Sequence, residues 1–109
     1  MSDVLGTFEQ AVLLALVRLR KDAYGRAILK EVQQRLRREV AAGAVYATLD
    51  RLEAKMLISS RLGSGTPIRA GRPRRYYSIE TAGIRALNES KVAVESMWQG
   101  FGWPLKGGA

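Results

Sequence analysis

The stretch from residue 41 to residue 79 constrains this chain most, because it joins a helix with a small-residue face to a basic, glycine-rich hairpin. Apolar residues recur there at spacings of four, three and four, which is typical of one stripe of an amphipathic helix: Val45, Leu49, Leu52 and Met56. The opposite face begins with Gly43, Ala44 and Ala47. Small side chains let a helix approach another surface closely, and the DNA major groove is one such surface.

Two strands joined by a long loop are predicted after this helix. Ile58, Ser60 and Leu62 alternate with their neighbours in the first, and residues 75–79 are rich in strand formers. The loop between them carries glycines, prolines and arginines. A small-faced helix followed by a basic hairpin indicates a winged helix-turn-helix, with the recognition helix at about 42–56 and the wing at about 57–79.

The rest of the chain is predicted to be helical. The first helix opens on a capping box at Thr7 and Gln10, Asp22 caps the second, and Glu80 or Thr81 starts the last. The expected fold class is mostly α with a small β-hairpin. Its expected parts are a DNA-binding winged helix-turn-helix, a C-terminal dimerisation helix and a loose tail, at residues 1–80, 81–101 and 102–109.

Two apolar surfaces exceed what one small core can use. Ala11 to Val17 is apolar on every side, and the last helix carries a heptad-like seam interrupted by Lys91. We therefore predict a homodimer. The expected interface residues are Leu13, Leu16, Val17, Leu87, Val94, Trp98 and Phe101. The alternative, that the first and last helices cover each other within one chain, fits the pattern equally well.

Charge and composition narrow the class of protein. The net charge is +8, of which residues 21–40 contribute +3 and residues 61–80 contribute +4. Such clustering favours double-stranded DNA as the partner over an anionic membrane, the alternative being a solvated basic surface. The chain has no histidine or cysteine, which removes disulfides, the usual transition-metal ligands and the commonest general base. We expect neither an enzyme nor a cofactor.

The apolar runs predict no membrane insertion. The longest, Ala11 to Val17, is far below the roughly 20 residues that a spanning helix needs. Asp3 and Glu9 precede it where a signal peptide has basic residues. We expect a cytoplasmic protein, associated with the nucleoid when it is bound to DNA.

Five sequence words, in order, resemble the PadR family of bacterial transcriptional regulators: LGTFEQAVLLAL, AYGRAILKEV, GAVYATLDRLEAK, RAGRPRRYYSI and TAG. They cover Leu5 to Leu87, and the short C-terminal region resembles the subtype with one terminal helix. The resemblance implies a dimeric winged-helix DNA binder, in most members a repressor, some of which respond to phenolic acids or planar drugs.

The chain departs from the family pattern at three places. Ala41 stands where the family often has a serine that opens the recognition helix, so a cap and a phosphate contact are missing. Met56 replaces a glycine that would end the helix in a left-handed conformation. Glu80-Thr81 replaces Thr-Pro before the last helix.

Candidate DNA contacts lie on the recognition helix and on the wing: Gly43, Ala44, Tyr46, Ala47, Thr48, Arg51, Arg69, Arg72 and Arg74. Tyr46 resembles a family tyrosine that often contacts DNA, and packing against the wing is its alternative. The glycine and alanines are approach positions, so specificity is expected to depend on DNA shape and half-site spacing. Arg75 opens a strand, where pairing with an acid is the alternative.

Trp98 is the candidate ligand-binding residue. In a dimer, Trp98 and Trp103 could line a pocket for a flat aromatic effector, and core or interface packing is the alternative. Two other functions fit the charge pattern: an architectural nucleoprotein with little specificity, and a winged-helix module that binds an acidic protein.

Overall fold

The chain folds around four helices and a hairpin in the computed structural model, which describes residues 4–63 and 73–107. The elements within those residues are α1 (Thr7–Leu19), α2 (Gly25–Leu36), α3 (Ala42–Ala54), β1 (Ile58–Leu62), β2 (Arg75–Ile79) and α4 (Thr81–Trp98). A 3₁₀ turn, Arg20–Asp22, joins α1 to α2. The predicted mostly helical fold with a small hairpin is confirmed.

The start of α1 lies one residue earlier than the capping box predicts. Gly6, and not Thr7, is the N-cap, and the Glu9 carboxylate accepts the Gly6 N–H at 3.0 Å. Just before this cap, the Leu5 N–H donates to the buried Ser90 hydroxyl at 2.9 Å. The chain before α1 is therefore fixed to α4.

The turn between α2 and α3 is held by the protein's own side chains. Asp22 lies in the 3₁₀ turn, so Tyr24 replaces it as the N-cap of α2. Arg37 ends α2 in the left-handed region at φ 56°, and the Gln33 side chain accepts the Val40 N–H at 3.1 Å. These contacts set the direction in which α3 leaves the turn.

The core is built from the predicted apolar stripes. Val45, Leu49 and Leu52 of α3 are fully buried, together with Ile28 and Val32 of α2. Burying such side chains is the main favourable contribution to folding. α3 therefore presents its other face to solvent.

The predicted stripe of α3 ends before Met56. Its side chain is 76% exposed, and its backbone is left-handed at φ 64°. Ala41, at the other end of α3, provides no side-chain cap. The methionine thus adopts the conformation for which the family's glycine is suited, and it does so at some conformational cost.

The hairpin is antiparallel, with Ile58 opposite Ile79 and Leu62 opposite Arg75. It is joined to the start of α2 by the Tyr77 N–H, which donates to the Ala23 carbonyl at 2.8 Å. The base of the wing is therefore attached to the helix-turn-helix.

Among the described residues, α4 packs on the rest of its own chain mainly from its start to Ser90. Its buried residues are Gly83, Ala86 and Ser90. The helix ends at Trp98, three residues before the predicted end, so Phe101 lies beyond it. Among the helices of the described ranges, none is long and apolar enough to cross a membrane.

Candidate nucleic-acid interface

The small-residue face of α3 is open to solvent. Gly43, Ala44 and Ala47 are exposed, and Arg51 lies at the end of the same face. A Cβ added at Gly43 would meet no atom within 4 Å. The first turns of α3 thus form a flat surface without long side chains.

Thr48 does not belong to this surface, which corrects its assignment as a DNA contact. It is 1% exposed, and its hydroxyl accepts a hydrogen bond from the Arg51 guanidinium at 3.0 Å. A hydroxyl buried in this way cannot reach a phosphate, but it orients Arg51. That arginine lines a shallow pocket of about 400 Å³ together with Arg38, which the sequence analysis did not single out.

Tyr46 packs against α2 while remaining 46% exposed. Its ring lies so close to Gly25 that a Cβ there would come within 2.6 Å of the ring carbon Cε1. The absence of a side chain at Gly25 therefore lets the tyrosine cross from α3 to the start of α2. Part of the ring stays available to a ligand.

Tyr46 lines a pocket of about 530 Å³ where α2, α3 and β2 meet. We call it the arginine–tyrosine pocket, and its described lining is Tyr24, Gly25, Arg26, Tyr46, Arg74, Arg75 and Tyr77. Three guanidinium groups and three phenols line it, and the described residues add no carboxylate. Such a lining suits an anion.

Arg74 is held over the ring of Tyr24, with its guanidinium carbon 4.1 Å from the ring centroid. Tyr24 meets Tyr76 edge to face at a centroid distance of 5.8 Å, and Arg61 lies 5.1 Å from the Tyr76 centroid. Cations on aromatic faces contribute about 0.5–1 kcal/mol each at exposed sites. The Tyr24–Tyr76 contact joins the base of the wing to the start of α2, with Arg74 over the first ring and Arg61 over the second.

Arg75 and Arg74 have different surroundings. The Arg75 guanidinium donates to the Ser60 hydroxyl at 3.0 Å, and that hydroxyl donates to the Glu53 carboxylate at 2.7 Å. Arg75 thus interacts with an acid through Ser60. Arg69 and Arg72, the other predicted wing contacts, lie outside the described residues.

Tyr77 lies at the inner side of the arginine–tyrosine pocket. Burial raises the pKa of its phenol above the ordinary tyrosine value, and nearby Arg75 opposes part of that rise. The group therefore remains protonated at neutral pH, when it can still donate a hydrogen bond.

The predicted dimer surface needs one correction. Leu13 and Leu16 are buried in the core of their own chain at 0% and 3% exposure, so they offer no surface to a partner. The exposed apolar residues of α1 are Leu14 and Val17. With Ile84, Leu87 and Val94 of α4 they line a groove of about 420 Å³. Trp98, at 38%, and Phe101, at 64%, are also exposed.

The fold and the exposed α3 face, flanked by guanidinium groups, define a winged-helix DNA-binding protein. A family model described as the transcriptional regulator PadR-like family matches residues 13–89. The chain belongs to this family, whose members are DNA-binding transcription regulators and not enzymes. A comparison with curated proteins gave no significant match.

Solved structures of PadR regulators have the same fold. A regulator from hypervirulent Clostridium difficile R20291 is 27% identical with a TM-score of 0.65, over 85% of this chain and 95% of that one. One from Eggerthella lenta DSM 2243 is 30% identical with a TM-score of 0.64, over 82% and 75% of the two chains. A PadR-like factor from Bacteroides fragilis is 27% identical with a TM-score of 0.70, over 84% of each.

Proposed function

We propose that this regulator is a homodimeric repressor that binds a pseudo-palindromic operator, acting on nucleoid DNA in the cytoplasm. α3 enters the major groove, and the wing contacts the flanking backbone. In this proposal residues 1–80 bind DNA, residues 81–101 dimerise and residues 102–109 are a tail. Repression needs no further domain, because a protein that covers promoter DNA excludes polymerase.

The observation that carries the proposal is the exposed small-residue face of α3, formed by Gly43, Ala44 and Ala47. A helix without long side chains on this face can approach base edges closely. Tyr46 and Arg51 stand beside it and supply polar groups. Because arginine–guanine and asparagine–adenine pairs are scarce on such a face, DNA shape and half-site spacing provide much of the specificity.

The experiment is selection of binding sequences from a randomised duplex library, followed by titration of the selected site and of random DNA at several salt concentrations. A specific dimer should select two inverted half-sites and prefer them by about 10³-fold or more. The same site placed in a promoter should lower transcription in vitro when the protein is added. Equal affinity for random DNA would indicate an architectural nucleoprotein, and no DNA binding at all would indicate a protein-contact module.

A second copy of the chain is proposed to cover the groove between α1 and α4. Leu14 and Val17 are 39% and 41% exposed on one side, and Ile84 and Val94 are 41% and 38% exposed on the other. The α4 residues beyond Ser90 are not buried by the chain itself. Apolar surface of this extent on a helix is typical of an interface.

Sedimentation velocity tests the dimer with a matched pair of variants. Val94→Asp places a charge in the groove and should make the protein monomeric at micromolar concentration. Val92→Asp makes the same chemical change at a residue that is 59% exposed and lies outside the groove lining. This variant should remain a dimer. A wild-type monomer, or dissociation by both variants alike, would contradict this interface.

A flat aromatic effector is proposed to bind next to Trp98. The indole is 38% exposed and lies on α4 beside the dimer groove, so two copies can bring two indoles near each other. Quenching of tryptophan fluorescence by planar aromatic compounds tests this in a Trp103→Phe background. Compounds that quench Trp98 should also change operator affinity, whereas quenching without that change indicates that the tryptophan only packs.

A further inference from the structure

The arginine–tyrosine pocket differs from a general basic surface in how its groups are arranged. Its guanidinium and phenol groups come from three separate elements and converge on one volume beside the exposed face of α3. The described residues of its lining include no carboxylate, although Glu53, outside the lining, is linked to Arg75 through the Ser60 hydroxyl. A monoanion that presents two oxygens matches this arrangement.

Arg74 is the pocket guanidinium that lies over an aromatic ring. Its guanidinium stacks on Tyr24 at 4.1 Å, and within the described part of the chain it takes part in none of the ion pairs. Stacking restricts the side chain before any ligand arrives, so less rotamer entropy is lost on binding. Its hydrogen-bond donors remain in the plane of the fork, where they can bind phosphate in bidentate fashion.

Tyr46 connects this pocket to the recognition helix. The ring crosses from α3 to Gly25 and lines the pocket opposite the wing. When a helix lies in the major groove, residues beside its first turns face the sugar–phosphate backbone that borders the groove. The pocket therefore faces a phosphate if α3 faces the bases.

We propose that the arginine–tyrosine pocket binds one defined backbone phosphodiester in each operator half-site, contacted by Arg74 and Tyr46, with Tyr24 as the positioning residue for Arg74. This inference rests on the proposed function, since it requires α3 to occupy the groove. In this arrangement Arg74 binds a single phosphate next to the recognition helix. The Tyr24 ring supports DNA binding by holding Arg74, without contacting DNA itself.

Methylphosphonate scanning tests the assignment. Each phosphate around one selected half-site is replaced in turn by a neutral methylphosphonate, and affinity is measured for wild type and for Arg74→Ala. One phosphate should weaken wild-type binding by about tenfold, the effect expected from losing a charge-assisted hydrogen bond. The same replacement should weaken Arg74→Ala by less than about twofold, because the partner charge is already gone.

Arg61→Ala is the matched control. Arg61 also lies on a tyrosine face, 5.1 Å from the Tyr76 centroid, but it does not line the pocket. This variant should retain the full wild-type penalty at the identified phosphate. A loss of that penalty in Arg61→Ala as large as in Arg74→Ala would overturn the pocket assignment in favour of diffuse charge.

Tyr24 variants test the positioning role. Tyr24→Phe keeps the aromatic face and should retain the penalty at the same phosphate, whereas Tyr24→Leu should reduce it while thermal unfolding remains cooperative. Wild type can bind an operator while every methylphosphonate replacement weakens Arg74→Ala as much as it weakens wild type. In that case the pocket assignment alone is wrong. If wild type binds no operator, the proposed function fails as well.

Discussion

Replacing Gly43 by alanine should separate the stability of this protein from its DNA affinity. Gly43 lies in the first turn of α3, is exposed, and has no atom within 4 Å of an added Cβ. The methyl group therefore causes no clash in the free protein. Glycine within a helix is less favourable than alanine by about 0.5–1 kcal/mol. The variant should therefore have a higher free energy of unfolding than wild type.

The gain can be converted into a melting temperature. For a domain of this size, 1 kcal/mol corresponds to roughly 4–8 °C, so the expected rise is about 2–8 °C. It is measured by circular dichroism at a fixed protein concentration, because dimerisation makes the melting temperature depend on concentration.

The same methyl group should weaken operator binding. Hydrogen bonds to base edges need heavy-atom distances of about 2.7–3.2 Å, so a helix that retreats by roughly 1 Å loses them. Each base pair whose recognition is lost costs about 1–3 kcal/mol, which is roughly 5- to 150-fold in Kd. We expect the operator Kd of Gly43→Ala to rise at least about fivefold, measured by fluorescence anisotropy with labelled duplexes.

Random DNA provides the control, because its binding depends on phosphate contacts that this methyl group does not touch. Its affinity for Gly43→Ala should stay within about twofold of wild type. Operator affinity equal to wild type in a stabilised variant would refute the reasoning, since α3 would then not approach the bases through Gly43.

Three further results are expected. Gly83→Ala should lower the free energy of unfolding in urea by about 1–2 kcal/mol, because the new Cβ would overlap the Leu57 carbonyl and lie 2.7 Å from Ile79 Cγ1; an unchanged midpoint would contradict this. As pH rises through about 10, the free energy of unfolding of wild type should fall, because Tyr77 ionises in the unfolded chain before it ionises in the folded one, where burial raises its pKa. The fall should be smaller in Tyr77→Phe, which has no phenol to ionise. Arg72→Ala should lower the slope of log K against log salt by about two per dimer, at about 0.9 per phosphate contact, and weaken operator and random DNA alike; an unchanged slope would mean that Arg72 contacts no phosphate.

The fold could be predicted because its main signals are local. The spacing of Val45, Leu49 and Leu52 identifies the buried side of α3 without knowledge of any other element. Alternation likewise identified β1, which pairs with β2, although Leu62 on its predicted apolar face is 55% exposed. Local patterns were weaker at the ends of helices, where Gly6 replaced Thr7 as the cap and the left-handed Met56 ended the predicted stripe.

The individual site residues were harder to predict, because burial depends on what packs from elsewhere. Leu13 and Leu14 are neighbours in a run that is apolar on every side, yet the first is fully buried and the second is 39% exposed. Thr48 lies beside an exposed face, and its burial and its bond with Arg51 follow from the three-dimensional packing. Periodicity shows on which face of a helix a residue lies. It does not show how much of that face other elements cover.

The distribution of charge shows how the fold combines signals that are separate along the chain. In the sequence, residues 21–40 and residues 61–80 are two basic segments that compete as sources of phosphate contacts. In the structure, Arg26 from the first segment and Arg74 and Arg75 from the second line the same pocket. The bridge between Tyr24 and Tyr76 and the hydrogen bond from Tyr77 to Ala23 bring the two segments together. The tyrosines next to these arginines thus have a physical role: they join the wing to α2, so that arginines of both basic segments line one surface.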